Sequence, residues 1–306
     1  MKKLLLITNQ AEYSEHGTIT PLFDNYLKEF YEVDIVFITN FKDSFQEKGN
    51  HFIVPQAYEN NILEYLTRKN IDISLYHFVM VRNEKNLLKN VLDNKDKYNY
   101  KVGFRISFPY KNFAHDFENS FFPLSMVRKF LHKQKIKDRD NMINQCDLFL
   151  PISFEMKDEF YSHIDIDTFP IFTGLDPENL NEHIVSKDDI TLRKQVNEHD
   201  IGLALMPRNR YFDTIILKKV LDYYTCSIPA IVTENEKNRS IFEKDEAFFC
   251  EFELDKITNK LQELIDSPSA QDAKVGNKGQ KKLLSLKRNY KILAYNLSKK
   301  LDEITE

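Results

Sequence analysis

The stretch "DIGLALMPRNRYFDTIILKKVLDYYTCSIPAIVT", residues 200–233, decides the fold. An apolar run (200–207) leads into a helix-like segment (212–226), and a second β-like run (228–233) follows at once. A strand, a helix and a strand at this pace make a βαβ unit, whose strands pair in parallel. Lys219 and Asp222 lie three apart, so both can project from one side of the helix. The helix either simply packs under its strand or also presents a polar end to a ligand.

The same alternation runs outward in both directions. Toward the N-terminus, strands are expected at 3–9, 33–39, 72–79, 100–107 and 146–153. Between them lie helices at 21–31, 60–70 and 83–95 and a basic helical region at 124–144. Leu22, Phe23, Tyr26, Leu27 and Phe30 form the apolar stripe of the helix at 21–31. Beyond residue 233, a short helix (237–245), a strand (247–253) and a helix (254–267) repeat the theme. Repeated βαβ units specify an α/β fold with helices on both faces of a parallel sheet. Ligands of such sheets gather beyond the carboxyl ends of the strands.

Composition narrows the function classes. The 306 residues suit one large or two ordinary domains, and 42% hydrophobic with 29% charged residues is ordinary for a globular protein. A formal net charge of −4 provides no field to recruit nucleic acid. No run reaches the roughly 18 apolar residues of a membrane span. The opening "MKKLLLITNQ" turns polar too soon for a secretory segment, so it reads as a buried strand of a cytoplasmic protein. Cys146, Cys226 and Cys250 lack metal or redox spacing, and the eight histidines form no HxH or HxxxH pair; no metal is expected. Seven glycines, against about 20 in an average chain of this length, leave no glycine-rich phosphate loop. A phosphate would have to rest on helix N-termini, single glycines and basic side chains.

From Lys274 to Lys300 the tail carries nine basic residues and no acidic ones. Leu283, Leu286, Tyr290, Leu293, Leu297 and Leu301 follow helical spacing. Such a helix can dock its apolar face on the protein or make a peripheral contact with anionic lipid.

Local sequence adds a resemblance. "CDLFLPISFEMKDEF" (146–160) resembles the segment of glycosyltransferase family 4 in which a strand ending "aDxixxxS" enters a helix. "FPIFTGLDPENL" (169–180) resembles the "xxxxNGvD" segment that follows, with Thr173 where Asn is usual. Residues 200–207 and 217–233 resemble "aDiGLaPl" and "PxKxxEYmaxGxPvVat", with Lys219 on the Lys, Asp222 on the Glu, Tyr223 on the Tyr and Pro229 on the Pro.

The resemblance implies a GT-B-like α/β architecture: two Rossmann-like domains, the second reduced, with a C-terminal amphipathic helix. The expected boundaries are 1–176 (acceptor side), 177–273 (donor side, shortened) and 274–306 (basic helix). The family's "GxxxxxKG" region and its strands have only the polar stretch 177–199 as a counterpart.

By the same resemblance, the activity is sugar transfer from a nucleotide-sugar to a surface-glycan, lipid-linked or protein acceptor. Configuration would be retained, with no metal or other cofactor. The alternative is a non-catalytic GT-B-like partner subunit. On the donor side, the helix start at 213–216, with Asp213 and Thr214, would face the diphosphate. Lys219, Arg208 and Arg210 would offset its charge, and Asp222 would hold the ribose. Arg208 and Arg210 read equally well as solvated loop residues. Thr214 occupies the first position of the family's E-x7-E pattern. Gly17 and Thr18 would let the backbone approach the diphosphate. On the acceptor side, His16 is either a contact or an exposed loop histidine, and His77 a contact or a core histidine. Arg82 and Arg105 either bind an acidic acceptor or make surface pairs.

Overall fold

The computed structural model describes residues 1–10, 21–40, 42, 44–107, 109, 124–175, 200–266 and 270–306. The chain forms two compact units. One is built mainly from residues 23–171, joined by the chain's first and last segments; the other holds 172–293.

The first unit carries a seven-stranded sheet. Its strands are β1 (Lys3–Thr8), β2 (Glu32–Thr39), β3 (Gln46–Lys48), β4 (His51–Pro55), β5 (Tyr76–Arg82), β6 (Lys101–Arg105) and β7 (Leu148–Leu150). Their spatial order is β3-β4-β2-β1-β5-β6-β7, parallel except for β3. Leu4, Leu5, Leu6 and Ile7 are fully buried, as befits a central strand covered on both faces. Each such side chain contributes about 1.5–3 kcal/mol on burial. The chain adds β2 on one side of β1 and β5 on the other, so the sheet's topological switch point lies between β1 and β5.

The sequence reading passes over the β3–β4 hairpin. Its first strand, Gln46–Lys48, is polar and partly or fully exposed, so it carries no hydrophobic signal. The visible sign is Gly49, which takes φ +63° at the turn.

Three further expectations change. Residues 21–31 do not form one α-helix: a π-helical turn, Pro21–Tyr26, passes into a 3-10 turn, Leu27–Glu29. Leu22, Phe23, Tyr26 and Leu27 are nevertheless buried. Strand β5 begins at Tyr76 rather than 72, because Asp72 caps a preceding 3-10 turn by accepting from Ser74 N. The basic tail is two helices, Ala270–Ser285 and Tyr290–Thr305. Lys287 takes φ 55° in the break, and Asn289 Oδ1 accepts from Ile292 N (2.9 Å) to start the second helix.

The tail's apolar stripe is docked. Leu283, Tyr290, Leu293, Leu297 and Leu301 are buried, and only Leu286 of the expected six is exposed. In the first unit, the end of the tail is fixed by Tyr31 Oη donating to Asp302 (2.6 Å) and by Lys300 pairing with Asp167 (2.5 Å).

The second unit has a parallel sheet of three strands among the described residues: β8 (Gly202–Ala204), β9 (Ala230–Thr233) and β10 (Phe248–Cys250), in the order β10-β9-β8. The helix Lys218–Thr225 connects β8 to β9 and buries Val220, Leu221 and Tyr224. Tyr223 lies over Gly202, where a Cβ would come within 2.3 Å of its ring. The helix ends in a Schellman motif: Ile228 N donates to Tyr223 O and Ser227 N to Tyr224 O. Residues 177–199 lie outside the described residues.

Candidate functional site

At the carboxyl edge of the second sheet, polar side chains are used to shape a loop. Thr233, at the end of β9, accepts from Met206 N (2.8 Å) and donates to Met206 O (3.1 Å). Asn235 Oδ1 caps the next helix by accepting from Asn238 N (2.8 Å), and its Nδ2 donates to Phe212 O (3.2 Å). Asn238 Nδ2 donates to Thr233 O (2.8 Å). Thr233, Asn235 and Asn238 are all buried, so the path of residues 206–214 is set by satisfied polar groups. Sequence reasoning missed this role; the asparagine before a short helix was its one sign.

The expected helix start at 213–216 is corrected. Phe212–Thr214 is a separate 3-10 turn, and the α-helix begins at Lys218. Ile215 and Leu217 are extended, and Thr214 Oγ1 bonds back to Tyr211 O (2.7 Å). Thr214 is therefore a buried turn residue. Leu217 sits at the N-cap and provides no side-chain acceptor, and the first turn carries Lys218 and Lys219 with no carboxylate. That is the reverse of what a helix dipole favours, and an anion there would offset it.

Lys219 is exposed. The partner of Asp222 is Lys218, at 2.6 Å. Arg208 and Arg210 are exposed on the loop after β8. Asp213 is partly buried, and among the described residues its Oδ1 is a buried atom without a hydrogen-bond partner. Burial pushes its carboxyl pKa up; the Arg208 charge opposes this and the Glu236 charge adds to it.

The first sheet presents a second carboxyl edge. Thr8 of β1 stands opposite Arg82 of β5, which stands opposite Arg105 of β6. Arg82 donates from Nε to Ser107 Oγ (3.3 Å) and from Nη1 to Thr8 Oγ1 (3.4 Å). Arg105 is only 1% exposed. Asn83, in the left-handed region at φ 63°, donates from its backbone to Arg105 O and accepts from Ser107 N at Oδ1. Ser153 caps the helix after β7 by accepting from Met156 N (3.0 Å).

One reading of His77 is corrected: the residue is exposed, so it is no core histidine. It lies at the amino end of β5, opposite the ligand edge, where the register between β1 and β5 shifts; its Nδ1 accepts from Lys3 N (3.2 Å). His16, Gly17 and Thr18 lie outside the described residues.

Cys146, Cys226 and Cys250 form no disulfide. Burial pushes the Cys146 thiol up to about 12, which makes it a poor nucleophile. Among the described residues no group of three His, Cys, Asp or Glu side chains is placed to hold a metal ion. No described helix is long and apolar enough to cross a membrane.

No protein-family profile and no curated protein sequence matches the chain. Solved structures do resemble it. Anabaena HepE, solved with UDP, superposes with TM-score 0.62 at 10% identity, over 98% of this chain and 100% of that one. HepE was also solved with UDP-glucose. Sucrose-phosphate synthase from Thermosynechococcus elongatus gives 0.63 at 9% identity, over 99% of both chains. The UDP-forming α,α-trehalose-phosphate synthase from Burkholderia vietnamiensis gives 0.57 at 9%, over 100% of this chain and 99% of that one. At such identities the likeness is one of fold: the chain has the fold of the GT-B glycosyltransferases.

Proposed function

We propose that the protein is a glycosyltransferase that moves a sugar from a nucleotide-sugar to a surface-glycan, lipid-linked or protein acceptor. The observation that carries this reading is the fold match over nearly the whole chain to GT-B glycosyltransferases, one of them solved with UDP and with UDP-glucose. The uncapped helix start at Lys218 supports a place for the diphosphate.

In this reading the diphosphate lies before Lys218, with Lys219, Arg208 and Arg210 offsetting its charge. Asp222, already oriented by Lys218, accepts from the ribose hydroxyls. The bond between the anomeric carbon and the phosphate oxygen breaks as the acceptor oxygen bonds to that carbon. The acceptor proton passes to the departing phosphate, so retention needs no dedicated base and no metal. The acceptor side is the carboxyl edge of the first sheet, with Arg82 and Arg105; by the resemblance His16 belongs to the acceptor and Gly17 and Thr18 to the diphosphate of the donor. The protein works on the cytoplasmic side, and any contact with anionic lipid is electrostatic, through exposed lysines such as Lys281, Lys287 and Lys291, since most of the tail's apolar stripe is buried.

The second reading is a binding or partner subunit without donor recognition; Thr214, a buried turn residue where the family pattern has a carboxylate, favours it. A thermal-shift panel of UDP, GDP, ADP, CMP and their sugars separates the two. A raised melting temperature for one series, lost in Asp222→Ala, supports the enzyme. No shift across the panel leaves the partner reading.

A further inference from the structure

Strands β1 and β5 end together, with Thr8 opposite Arg82, the last residue of each. The chain places β2 on one side of β1 and β5 on the other, so a crevice opens beyond these two strand ends. Asn9 and Glu84 lie just past them, and Asn9 Nδ2 donates to Glu84 Oε1 across the gap (2.9 Å).

The turn that presents Glu84 is firmly held. Asn83 takes φ 63°; its backbone N donates to Arg105 O (2.9 Å), and its Oδ1 accepts from Ser107 N (2.8 Å). Glu84 N donates to Arg82 O (2.8 Å), and Glu84 O accepts from Leu88 N (3.1 Å) where the helix Lys85–Asp93 begins. The Glu84 side chain stands at the N-cap of that helix yet caps no amide. It is half-buried, and Asn9 is its hydrogen-bond partner among the described residues. The neighbouring Lys85 pairs with Asp138 instead. Burial raises the Glu84 carboxyl pKa, the Glu59 charge adds to this, and the bond from Asn9 opposes both.

A half-buried carboxylate beside a like charge is costly to keep, and such groups gather at functional sites. Among the described residues Glu84 Oε2 and Asn9 Oδ1 are left as acceptors at the crevice. Two neighbouring acceptors, one of them charged, call for a ligand with two neighbouring donors and repel an anion. Adjacent hydroxyls of a sugar ring supply that pair.

We infer that Glu84 and Asn9 bind vicinal hydroxyls of a sugar at the switch point of the first sheet. On the transferase reading this sugar is the acceptor, which is then a glycan or a sugar-headed lipid rather than a protein side chain. The word acceptor rests on that reading; the hydroxyl site rests on the geometry.

Saturation-transfer NMR titrations of the full chain test it, with methyl glucoside, methyl mannoside and methyl galactoside as probes. Cyclohexanol, a ring with one hydroxyl, and UDP are measured beside them. At least one glycoside is expected to bind about ten-fold or more tightly than cyclohexanol. Glu84→Gln should weaken it about ten-fold, the loss of a hydrogen bond to a charged acceptor, and Asn9→Ala should weaken it less. Melting curves show that the variants remain folded, and Lys89→Ala, on the exposed face of the same helix, serves as control. Cyclohexanol binding as tightly as the glycosides overturns the inference, and so does parental affinity in both Glu84→Gln and Asn9→Ala. UDP binding with no glycoside binding also overturns it and leaves the transferase reading intact. Glycoside binding that is lost in Glu84→Gln, without UDP binding, has the opposite meaning: the site stands and the transferase reading fails.

Discussion

Lys218 Nζ lies 2.6 Å from Asp222 Oδ1, one helical turn on, while Lys219 points to solvent. The carboxylate proposed for the ribose is thus held by a different lysine from the one that spacing suggests. Both partners are about one-third exposed or more, so the pair contributes little by itself. A double-mutant cycle with Lys218→Ala and Asp222→Ala should give a coupling of about 0.3–0.5 kcal/mol, reduced by salt. A coupling several times larger would mean that the pair is structural, and Asp222→Ala could no longer report on ligand binding alone.

Ser227 occupies the C′ position after the Lys218–Thr225 helix at φ 57°. A residue with a Cβ is strained there and glycine is not. Ser227→Gly should raise stability by up to about 1 kcal/mol, measured by urea unfolding. A loss of stability would show that the serine side chain makes a contact worth more than the strain.

Asp213 keeps an oxygen buried and unmet in the fold. Asp213→Asn removes the charge and should stabilise the protein by about 1 kcal/mol near neutral pH. The sign with pH follows from the raised pKa. The Asp213 contribution is most favourable below its ordinary value of 3.8 and is lost as pH rises through the folded value. The advantage of the asparagine variant should therefore shrink as the solution is acidified. A variant no more stable than the parent at pH 7 sinks this account.

Asp24 behaves in the opposite sense. Burial alone would raise its pKa, but hydrogen bonds from His51 and Asn50, with the charges of His51 and Lys28, bring it below 3.8. The stability it contributes is present above that ordinary value and is lost as pH falls through the folded one. Melting temperatures on the acid limb should fall less steeply in Asp24→Asn than in the parent. Parallel acid limbs would assign the loss to other groups.

Tyr31 donates to Asp302 and so ties the end of the tail to the first unit. Tyr31→Phe should cost about 1 kcal/mol and speed amide hydrogen exchange in residues 294–306. Unchanged exchange would mean that the buried leucines hold the segment without the hydroxyl.

Much of the secondary structure was legible because buried parallel strands are continuous apolar runs, as in "KLLLIT" and "AIVT". The hairpin Gln46–Pro55 was harder to read. Its edge strand has no apolar alternation, and its partner β4 has its place only through pairing with β2. The 21–31 segment has a helix's burial pattern without its hydrogen bonds, because the apolar stripe records which side faces the core and not which carbonyl each amide finds.

The candidate site was legible as residue types at strand ends. Arg82 and Arg105 could be named from sequence, but their alignment depends on which strand pairs with which, and in what register. His77 was misplaced because direction along a strand decides whether a residue faces the ligand edge, and its exposure at the shifted β1–β5 register is a property of the pairing.

By itself, then, the sequence determined the class of fold, since burial periodicity is local and survives without knowledge of neighbours. It also determined the identity of the charged groups near the strand ends. Only the tertiary structure decided that Lys218 takes Asp222, that a separate turn precedes the helix, and that two arginines share one row. Those facts rest on long-range backbone pairing and on competition among nearby partners, neither of which a one-dimensional pattern encodes.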